Sequence, residues 1–250
     1  EHPATEELGP IGDGRGRGLL LHTTLAVRVE GGEGPGRPQG IVLGLLAQQC
    51  WSRTPPRRPP ETWRQRMARP RESQRWAAAL EAGGPPAGST WIYLADRESD
   101  FYEPIERCQR RRTDFIIRAF HDRVLSQGGG HLKAAVAQAP VCGHLSIAVR
   151  ARAGRAARTA KVAVRTATLS LNGPRRLSGK APDFRVNVVE VREVAAPEGV
   201  APLHWLLLTS LPCRTWAQVR RVVRLYAMRW CVEEYHKALK SGTRVEESQM

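Results

Sequence analysis

The sequence predicts an α/β fold, and the order of three segments carries that prediction. Thr90–Ala95 (TWIYLA) is an apolar run of strand length, Glu98–Arg112 has a helical pattern, and Asp114–Phe120 (DFIIRAF) is a second apolar strand. This β–α–β order is typical of an α/β layer. Hydrophobic residues make up 41% of the 250 residues, which is enough for a core and argues against a fully disordered chain.

A hairpin is predicted nearer the beginning of the chain. Leu19–Glu30 is an apolar run that continues in alternation, Gly31–Gly36 (GGEGPG) has turn composition, and Gly40–Trp51 is the expected partner strand. The Pro- and Arg-rich segment Ser52–Gln74 follows, either as a solvated linker or as an arm that contacts phosphates. A short helix, Glu72–Ala82, is expected to end at two glycines.

Residues 122–202 have a different pattern, which predicts a mostly β insertion. A short helix precedes three strand-like segments; in chain order these are Leu132–Gln138, Leu145–Arg150, Ala160–Leu171 and Phe184–Val194. Six basic residues would give the insertion a positive face: Arg150, Arg152, Arg155, Arg158, Lys161 and Arg165. The chain is accordingly divided into a first core segment, 1–121, the insertion, 122–202, and a second core segment, 203–250.

The second core segment is expected to hold a buried strand, Pro202–Thr209, and one long helix, Thr215–Lys240. Five residues spaced three or four apart would share one face of this helix: Tyr226, Arg229, Glu233, Lys237 and Lys240. An apolar stripe is offset from these residues by one position along the helix, so the polar face would border the core. The alternative is an ordinary amphipathic helix with ion pairs such as Glu233–Lys237.

The charge is strongly biased toward cations. Lysine and arginine total 39 against 24 acidic residues, a formal net charge of +15. Clustered cations bind phosphates and release counterions, so the bias favours a nucleic acid partner. The alternative is compositional, because a GC-biased genome also enriches arginine.

The cysteines and the apolar segments restrict the class of protein. The five cysteines are odd in number and include no CxxC pair, which indicates neither a disulfide framework nor a zinc ribbon and fits a reducing cytosol. No run of 18 apolar residues and no secretory signal is visible, so a membrane span is not predicted.

Asp96 directly follows the apolar strand Thr90–Ala95, and two interpretations are open. The simpler one makes it the N-cap of the next helix, with Glu98 and Asp100 favoured by the helix dipole. The other is chemical. An aspartate after a buried strand, together with a glutamate on a distant helix, is what a two-metal phosphoryl-transfer site needs, because carboxylates must hold two ions roughly 3.5–4 Å apart.

Four segments resemble one known family. Tyr226–Gly242 (YAMRWCVEEYHKALKSG) closely resembles the Tyr–Arg–Glu–Lys signature of bacterial insertion-sequence transposases of the IS-four family, Tn-five-like branch. Asp96–Asp100 (DRESD) resembles that family's second catalytic aspartate motif, and His204–Ser210 resembles the strand before the signature helix. Leu8–Gly12 (LGPIG) is similar to the segment just after the family's first catalytic strand.

The resemblance implies a ribonuclease-H-like catalytic core interrupted by the β-rich insertion. It implies a DDE transposase that uses Mg²⁺ or Mn²⁺ to cleave double-stranded DNA at transposon ends, form hairpin ends and join the 3′-OH to target DNA. It also implies a homodimer in the full-length protein and a bacterial, cytoplasmic, nucleoid-associated location.

The resemblance also implies roles for particular residues. Asp96 and Glu233 correspond to the second and third metal-binding carboxylates. The residues expected to hold the terminal phosphates are Tyr226, Arg229, Lys237 and Lys240. Trp205 corresponds to an aromatic residue that stabilises a flipped base, a role that suits a π face. Arg118 is a further candidate DNA contact, and for His236 a place near the site and a structural role are equally open.

One departure from the family concerns the first catalytic aspartate, which would precede Glu1. The chain is therefore expected to be truncated at both ends and inactive as it stands, without the DNA-recognition and dimerisation regions. Asp13, in a Gly-rich loop, is not expected to replace the missing aspartate. Two alternatives are a degenerate DNA-binding remnant without turnover and an unrelated basic nucleic-acid-binding module, in which Asp96 and Glu233 would not converge.

Overall fold

The computed structural model describes residues 8–12, 16–30, 39–53, 62–68, 74–81, 83–85, 87–151, 156–176 and 178–243. The strands, in chain order, are β1 (Gly9–Ile11), β2 (Gly16–Glu30), β3 (Gln39–Ser52), β4 (Ile92–Ala95), β5 (Asp114–Arg118), β6 (Val141–Val149), β7 (Arg158–Leu171), β8 (Arg175–Arg176), β9 (Gly179–Lys180), β10 (Phe184–Glu193) and β11 (His204–Thr209). The helices are α1 (Trp63–Ala68), α2 (Gln74–Ala79), α3 (Tyr102–Arg110), α4 (Leu132–Ala137), α5 (Trp216–Ala227) and α6 (Trp230–Thr243).

The chain forms two compact units. The first comprises Glu1–Gly31, Pro38–Gly84 and Met228–Met250, and the second comprises Gly32–Arg37 and Pro85–Ala227. The first unit contains the sheet β1–β2–β3 with α1, α2 and α6, and the second contains a six-stranded sheet with α3, α4 and α5.

In the first unit, the predicted hairpin is confirmed. β2 and β3 pair antiparallel from Leu19 opposite Ser52 to Glu30 opposite Gln39, with two register irregularities in the middle. α2 lies within the predicted helix Glu72–Ala82, whereas α1 falls in a segment that was expected to be a linker or an arm. The Gly31–Gly36 turn and most of the arginines of that arm lie outside the described residues.

In the second unit, the sheet order is β4-β5-β11-β10-β7-β6. β4 and β5 are parallel and the other neighbours are antiparallel, which confirms an α/β class with a mixed, mostly β sheet. The strands of residues 122–202 continue the sheet of β4, β5 and β11, because β10 pairs with β11. The division of the chain at residues 121 and 202 remains a prediction.

The predicted helix Glu98–Arg112 is shorter in the structure. A 3₁₀ turn covers Arg97–Ser99, and α3 begins only at Tyr102. Pro104 gives the physical reason. In a helix that began at Glu98 it would occupy the interior, where proline removes a hydrogen bond and clashes with the preceding turn. In α3 it stands in the first turn, where the missing N–H costs nothing.

The core of the second unit lies on both faces of the central strands. The middle of β10 and most of β11 are buried on both faces, which explains why apolar residues follow one another at Val188–Val189 and Leu206–Leu208. α5 packs against β10, and α3 packs against β5. Each fully buried Val, Leu or Ile side chain contributes about 1.5–3 kcal/mol relative to exposure. Such residues include Ile105, Ile116, Ile117, Val162, Val164, Val188, Leu207 and Leu208.

The prediction of one long helix from Thr215 to Lys240 is wrong. α5 ends at Ala227, a turn follows at Met228 and Arg229, and α6 begins at Trp230. Two hydrogen bonds of the 3₁₀ type close this turn. The Cys231 N–H donates to the Met228 carbonyl, and the Val232 N–H donates to the Arg229 carbonyl. No Gly or Pro occurs between Trp216 and Ser241, so the sequence pattern contains no helix-breaking residue that would have predicted the turn.

Candidate functional site

Asp96 occupies the position that the sequence predicted, directly after β4, and it is partly exposed. Its Oδ1 accepts a hydrogen bond of 3.0 Å from the Glu98 backbone N–H, which caps the 3₁₀ turn. The capping interpretation is therefore confirmed for the 3₁₀ turn after β4 and not for α3, whose N-cap is Phe101. A carboxylate has two oxygens and about four acceptor positions, so one capping bond leaves capacity for further ligation.

Asp100 anchors the segment that carries Asp96. Its side chain is buried, and its Oδ2 accepts hydrogen bonds from the backbone N–H groups of Phe120 (2.6 Å) and His121 (2.8 Å). Arg123 forms an ion pair with Asp100 Oδ1 at 2.5 Å and donates to the Asp100 carbonyl at 3.0 Å. These bonds fix the loop after β4 to the residues that follow β5. Asp100 thus has a positioning role in place of the helix-dipole role expected for it.

Arg118, the predicted DNA contact on β5, lies against the neighbouring strand. Its guanidinium donates a hydrogen bond of 2.6 Å to the His204 carbonyl at the beginning of β11. The pairing of Arg118 with Leu207 brings the two strands together at this point. A guanidinium has five N–H donors, so this bond leaves the group able to contact other acceptors.

Trp205 and Tyr226 form an aromatic pair in the second unit. Their ring centroids are 5.1 Å apart and their planes are inclined by 73°, an edge-to-face contact. Tyr226 is only 4% exposed, so its ring is part of the packed interior and only its hydroxyl could serve a phosphate. The pair joins β11 to α5.

The other residues of the predicted polar face belong to α6 and to the turn before it. Arg229 forms an ion pair with Glu233, whose side chain is 43% exposed. Lys237 and Lys240 are exposed on the same helix, and their spacing from Glu233 places the three on one side of it. The prediction of one shared helix face is correct for the residues of α6. It is wrong for Tyr226, because Tyr226 belongs to α5.

His236 is half-buried on α6. Its Nε2 has no hydrogen-bond partner among the described residues, and its ring contacts that of Tyr235. Burial, with a smaller contribution from Lys240, lowers the pKa of His236 below its ordinary value. A neutral, packed ring favours the structural interpretation of this residue.

The expected positive face of residues 122–202 is only partly available to a ligand. Arg158 forms a bidentate ion pair with buried Glu193, and Arg165 lies 3.4 Å from Glu190. Lys161 is exposed, as is Arg150 at the end of the adjacent strand. Arg152 and Arg155 lie outside the described residues, as does Asp13.

Glu190 and Glu193 are buried acidic residues that contact the beginning of β11, and the sequence pattern alone did not point to them. The His204 ring shares a 2.9 Å hydrogen bond with Glu190, and that bond lowers the pKa of Glu190. Glu193 also accepts from the Leu203 N–H at 2.7 Å. The signal in the sequence was Glu190, an acidic residue among the valines of a strand, since a buried carboxylate requires partners.

The predicted residues divide between the two units. Asp96, Arg118, Trp205 and Tyr226 are in the second, and the residues from Arg229 to Lys240 are in the first. Convergence of Asp96 and Glu233 therefore remains a prediction. The described residues contain no group of three side chains able to hold a metal ion.

The donor chemistry of the two carboxylates nevertheless fits a hard divalent cation. Mg²⁺ prefers oxygen ligands and is commonly held by one or two carboxylates together with substrate phosphates. Asp96 and Glu233 supply such oxygens, and both side chains reach solvent. None of the helices in the described ranges has the length and apolar character needed to cross a membrane.

Residues 70–250 match the sequence model of the transposase DDE domain family. The match covers well over half of the 250 residues and contains every predicted site residue from Asp96 to Lys240. Transposases with this domain act in DNA transposition. Because the match extends over most of the chain and over the polar residues described above, this protein belongs to the transposase DDE domain family.

Proposed function

We propose that this chain is the catalytic-core segment of a cut-and-paste DNA transposase with a ribonuclease-H-like core. One observation supports this most: the family match includes a carboxylate directly after a strand, Asp96, and a half-exposed carboxylate on a helix, Glu233, which is paired with Arg229. The reaction is cleavage of DNA at transposon ends, followed by joining of the freed 3′-OH to target DNA.

Asp96 and Glu233 are the carboxylates that would hold the divalent ion, Mg²⁺ or Mn²⁺, in the active site. When bound, such an ion supplies an activated nucleophile and charge stabilisation for the phosphoryl transfer. As a metal ligand, Glu233 would give up its ion pair with Arg229, and that guanidinium would then be available for a phosphate. A guanidinium suits phosphate oxygens because its donors match them in pairs.

The cations of α6 hold the DNA backbone. Lys237 and Lys240 are exposed and lie on the side of the helix that carries Glu233, so phosphates bound there are next to that carboxylate. Trp205 stacks on a flipped base near the hairpin end, and Arg118 contacts the nearby backbone. The hydroxyl of Tyr226 serves the terminal phosphate while its ring stays packed against Trp205.

The proposed family and branch rest on the resemblance of Tyr226–Gly242 and Asp96–Asp100 to known transposase motifs. The element is a bacterial insertion sequence of the IS-four family, Tn-five-like branch, and its full-length transposase acts as a homodimer on nucleoid DNA in the cytoplasm. The second candidate is a degenerate remnant that binds DNA and does not turn over, which the net charge of +15 also supports.

DNA binding by the chain can be tested with a matched pair of variants. Fluorescence anisotropy with a labelled DNA duplex should show binding that weakens steeply between 50 and 200 mM salt, as phosphate contacts require (roughly 10³–10⁵-fold for 6–10 contacts). Lys237→Gln should reduce the salt slope by about 1. Lys133→Gln removes the same charge from an exposed position on α4 and should leave the slope unchanged.

The outcomes separate the candidate functions. Equal effects of the two variants, or no DNA binding, would refute a phosphate-binding role for α6. Strand cleavage is then assayed with Mg²⁺ on the product of the complete gene and transposon-end DNA. Cleavage supports the transposase, and tight binding without cleavage identifies the remnant.

A further inference from the structure

Two cysteine thiols lie beside the same short segment of β7. Cys142 is the extra residue of a β-bulge in β6, because Val141 pairs with Arg165 while Gly143 pairs with Val164. Its Sγ lies 3.3 Å from the Val164 carbonyl oxygen, and the residue is exposed. The bulge therefore directs an accessible thiol toward the middle of β7.

Cys213 approaches this segment from the loop between β11 and α5. It is partly exposed, its Sγ lies 3.6 Å from the Leu211 carbonyl oxygen, and the Thr166 side chain hydrogen-bonds to it. Thr166 is two residues from Val164 on β7, so both thiols contact the same short stretch of one strand. The pKa of Cys213 is raised mainly by burial and to a smaller extent by the Cys142 thiol.

A second contact fixes the loop of Cys213 against the bulge of Cys142. A Cβ atom added to Gly143 would lie 2.7 Å from the ring of Trp216, so the indole rests directly on the glycine backbone. Gly143 is the chain neighbour of Cys142, and Trp216 is the first residue of α5, close in sequence to Cys213. Packing therefore holds together the two segments that carry Cys142 and Cys213.

We propose that Cys142 and Cys213 form an oxidisable dithiol, a modification site at which a low-molecular-weight disulfide produces an intramolecular disulfide bond. The Cys142 thiolate attacks one sulfur of the small disulfide and expels a thiolate, leaving a mixed disulfide on Cys142. The Cys213 thiolate then attacks the Cys142 sulfur and expels the second small thiolate. The protein loses two electrons and two thiol protons, and the small disulfide is reduced to two thiols.

The order of attack follows from exposure and acidity. Cys142 is exposed, whereas burial raises the pKa of Cys213 to about 11. Burial also raises the pKa of Cys142, so exchange is slow at neutral pH, and its rate increases about tenfold per pH unit while the thiolate is the minor form. The product would join β6 covalently to the segment before α5.

The other cysteines provide internal controls. Cys108 is fully buried and burial raises its pKa to about 12, and Cys231 is also buried. Cys50 is exposed and belongs to the first unit. It should form a mixed adduct with the small disulfide and so report the reactivity of an exposed thiol.

The test is disulfide mapping of the whole chain. The protein is incubated with oxidised glutathione from pH 7 to 8.5, free thiols are alkylated, and tryptic peptides are identified by mass spectrometry. The expected product joins the peptide of residues 134–150 to that of residues 193–214, which contain Cys142 and Cys213. Its yield should exceed any other intramolecular pairing at least about tenfold, with the rate increasing with pH as above.

Two variants make the result decisive. Cys213→Ser should stop the reaction at the glutathione adduct of Cys142, and Cys142→Ser should leave Cys213 in the alkylated fraction. The proposal is overturned if the joined peptide is absent while Cys50 carries glutathione, or if Cys50 pairs with Cys142 as readily as Cys213 does. Circular dichroism before and after oxidation confirms that a joined product comes from folded protein.

Discussion

The ring of Trp205 on β11 meets the ring of Tyr226 on α5 edge to face, with centroids 5.1 Å apart. The resemblance to transposases implies that both residues contact DNA, yet in this structure they contact each other. Each ring therefore carries part of the packing between the sheet and α5. A mutation at either position changes stability as well as any function in DNA binding.

The coupling between these two rings can be measured. Trp205→Leu, Tyr226→Leu and the double variant form a double-mutant cycle, with the free energy of unfolding taken from urea denaturation. The expected coupling is about 0.5–1.5 kcal/mol, because edge-to-face pairs contribute that much beyond burial. Additive single effects would show that the two rings pack independently.

Asp100→Asn should be strongly destabilising. The change leaves Arg123 without its buried counter-charge, which costs about 3–5 kcal/mol when one partner of a buried pair is removed. Glu198→Gln, at an exposed position, is the control and should change the free energy of unfolding by less than about 0.5 kcal/mol. If Asp100→Asn lowers the free energy of unfolding no more than the control does, Asp100 does not have the positioning role described above.

Glu190 should make stability depend on pH in the acid range. Its folded-state pKa is lowered, chiefly by the hydrogen bond with His204, from an ordinary value of 4.5. The stabilisation from a lowered carboxyl pKa is present above the unfolded value and is lost as pH falls through the folded value. The difference in unfolding free energy between the natural chain and Glu190→Gln should therefore shrink from pH 6 to pH 3. A difference that stays constant, or grows, over this range contradicts the assignment.

Gly143→Ala should destabilise the second unit. The added Cβ would lie 2.7 Å from the Trp216 ring, a distance that forces β6 or the beginning of α5 to move. Such overpacking typically costs about 1–3 kcal/mol. The double variant Gly143→Ala with Trp216→Leu should recover part of the loss in thermal unfolding, and no recovery would mean that the indole is not the obstacle.

Glu233→Gln tests the proposed chemistry in the product of the complete gene. Glutamine keeps the shape of the side chain and removes the charge that would hold a divalent ion, so strand cleavage should be abolished. Binding to transposon-end DNA should remain nearly unchanged, as gel mobility shift would show. Loss of binding along with cleavage would point to a structural role for Glu233 and against a metal role.

The sequence alone predicted the local elements with good accuracy. Apolar runs with turn residues on either side predicted β2, β3, β4, β5, β10 and β11, because strand burial depends on alternation and on local breakers. The same reasoning predicted a carboxylate directly after β4. The segment from Tyr226 to Lys240 pointed to a transposase, and the family match supports that class.

Tertiary structure decided what periodicity could not express. The turn at Met228 and Arg229 splits a segment that contains neither Gly nor Pro, so only packing could place it. The placement of β11 beside β5 depends on pairing between residues such as Leu208 and Ile117, which are distant in the chain. Asp100 bonded to residues 120–123 is the clearest case. A sequence shows that a carboxylate is present, but only the folded chain determines whether it caps a helix, faces solvent or neutralises a buried arginine, because those outcomes depend on which groups the fold brings within hydrogen-bond distance.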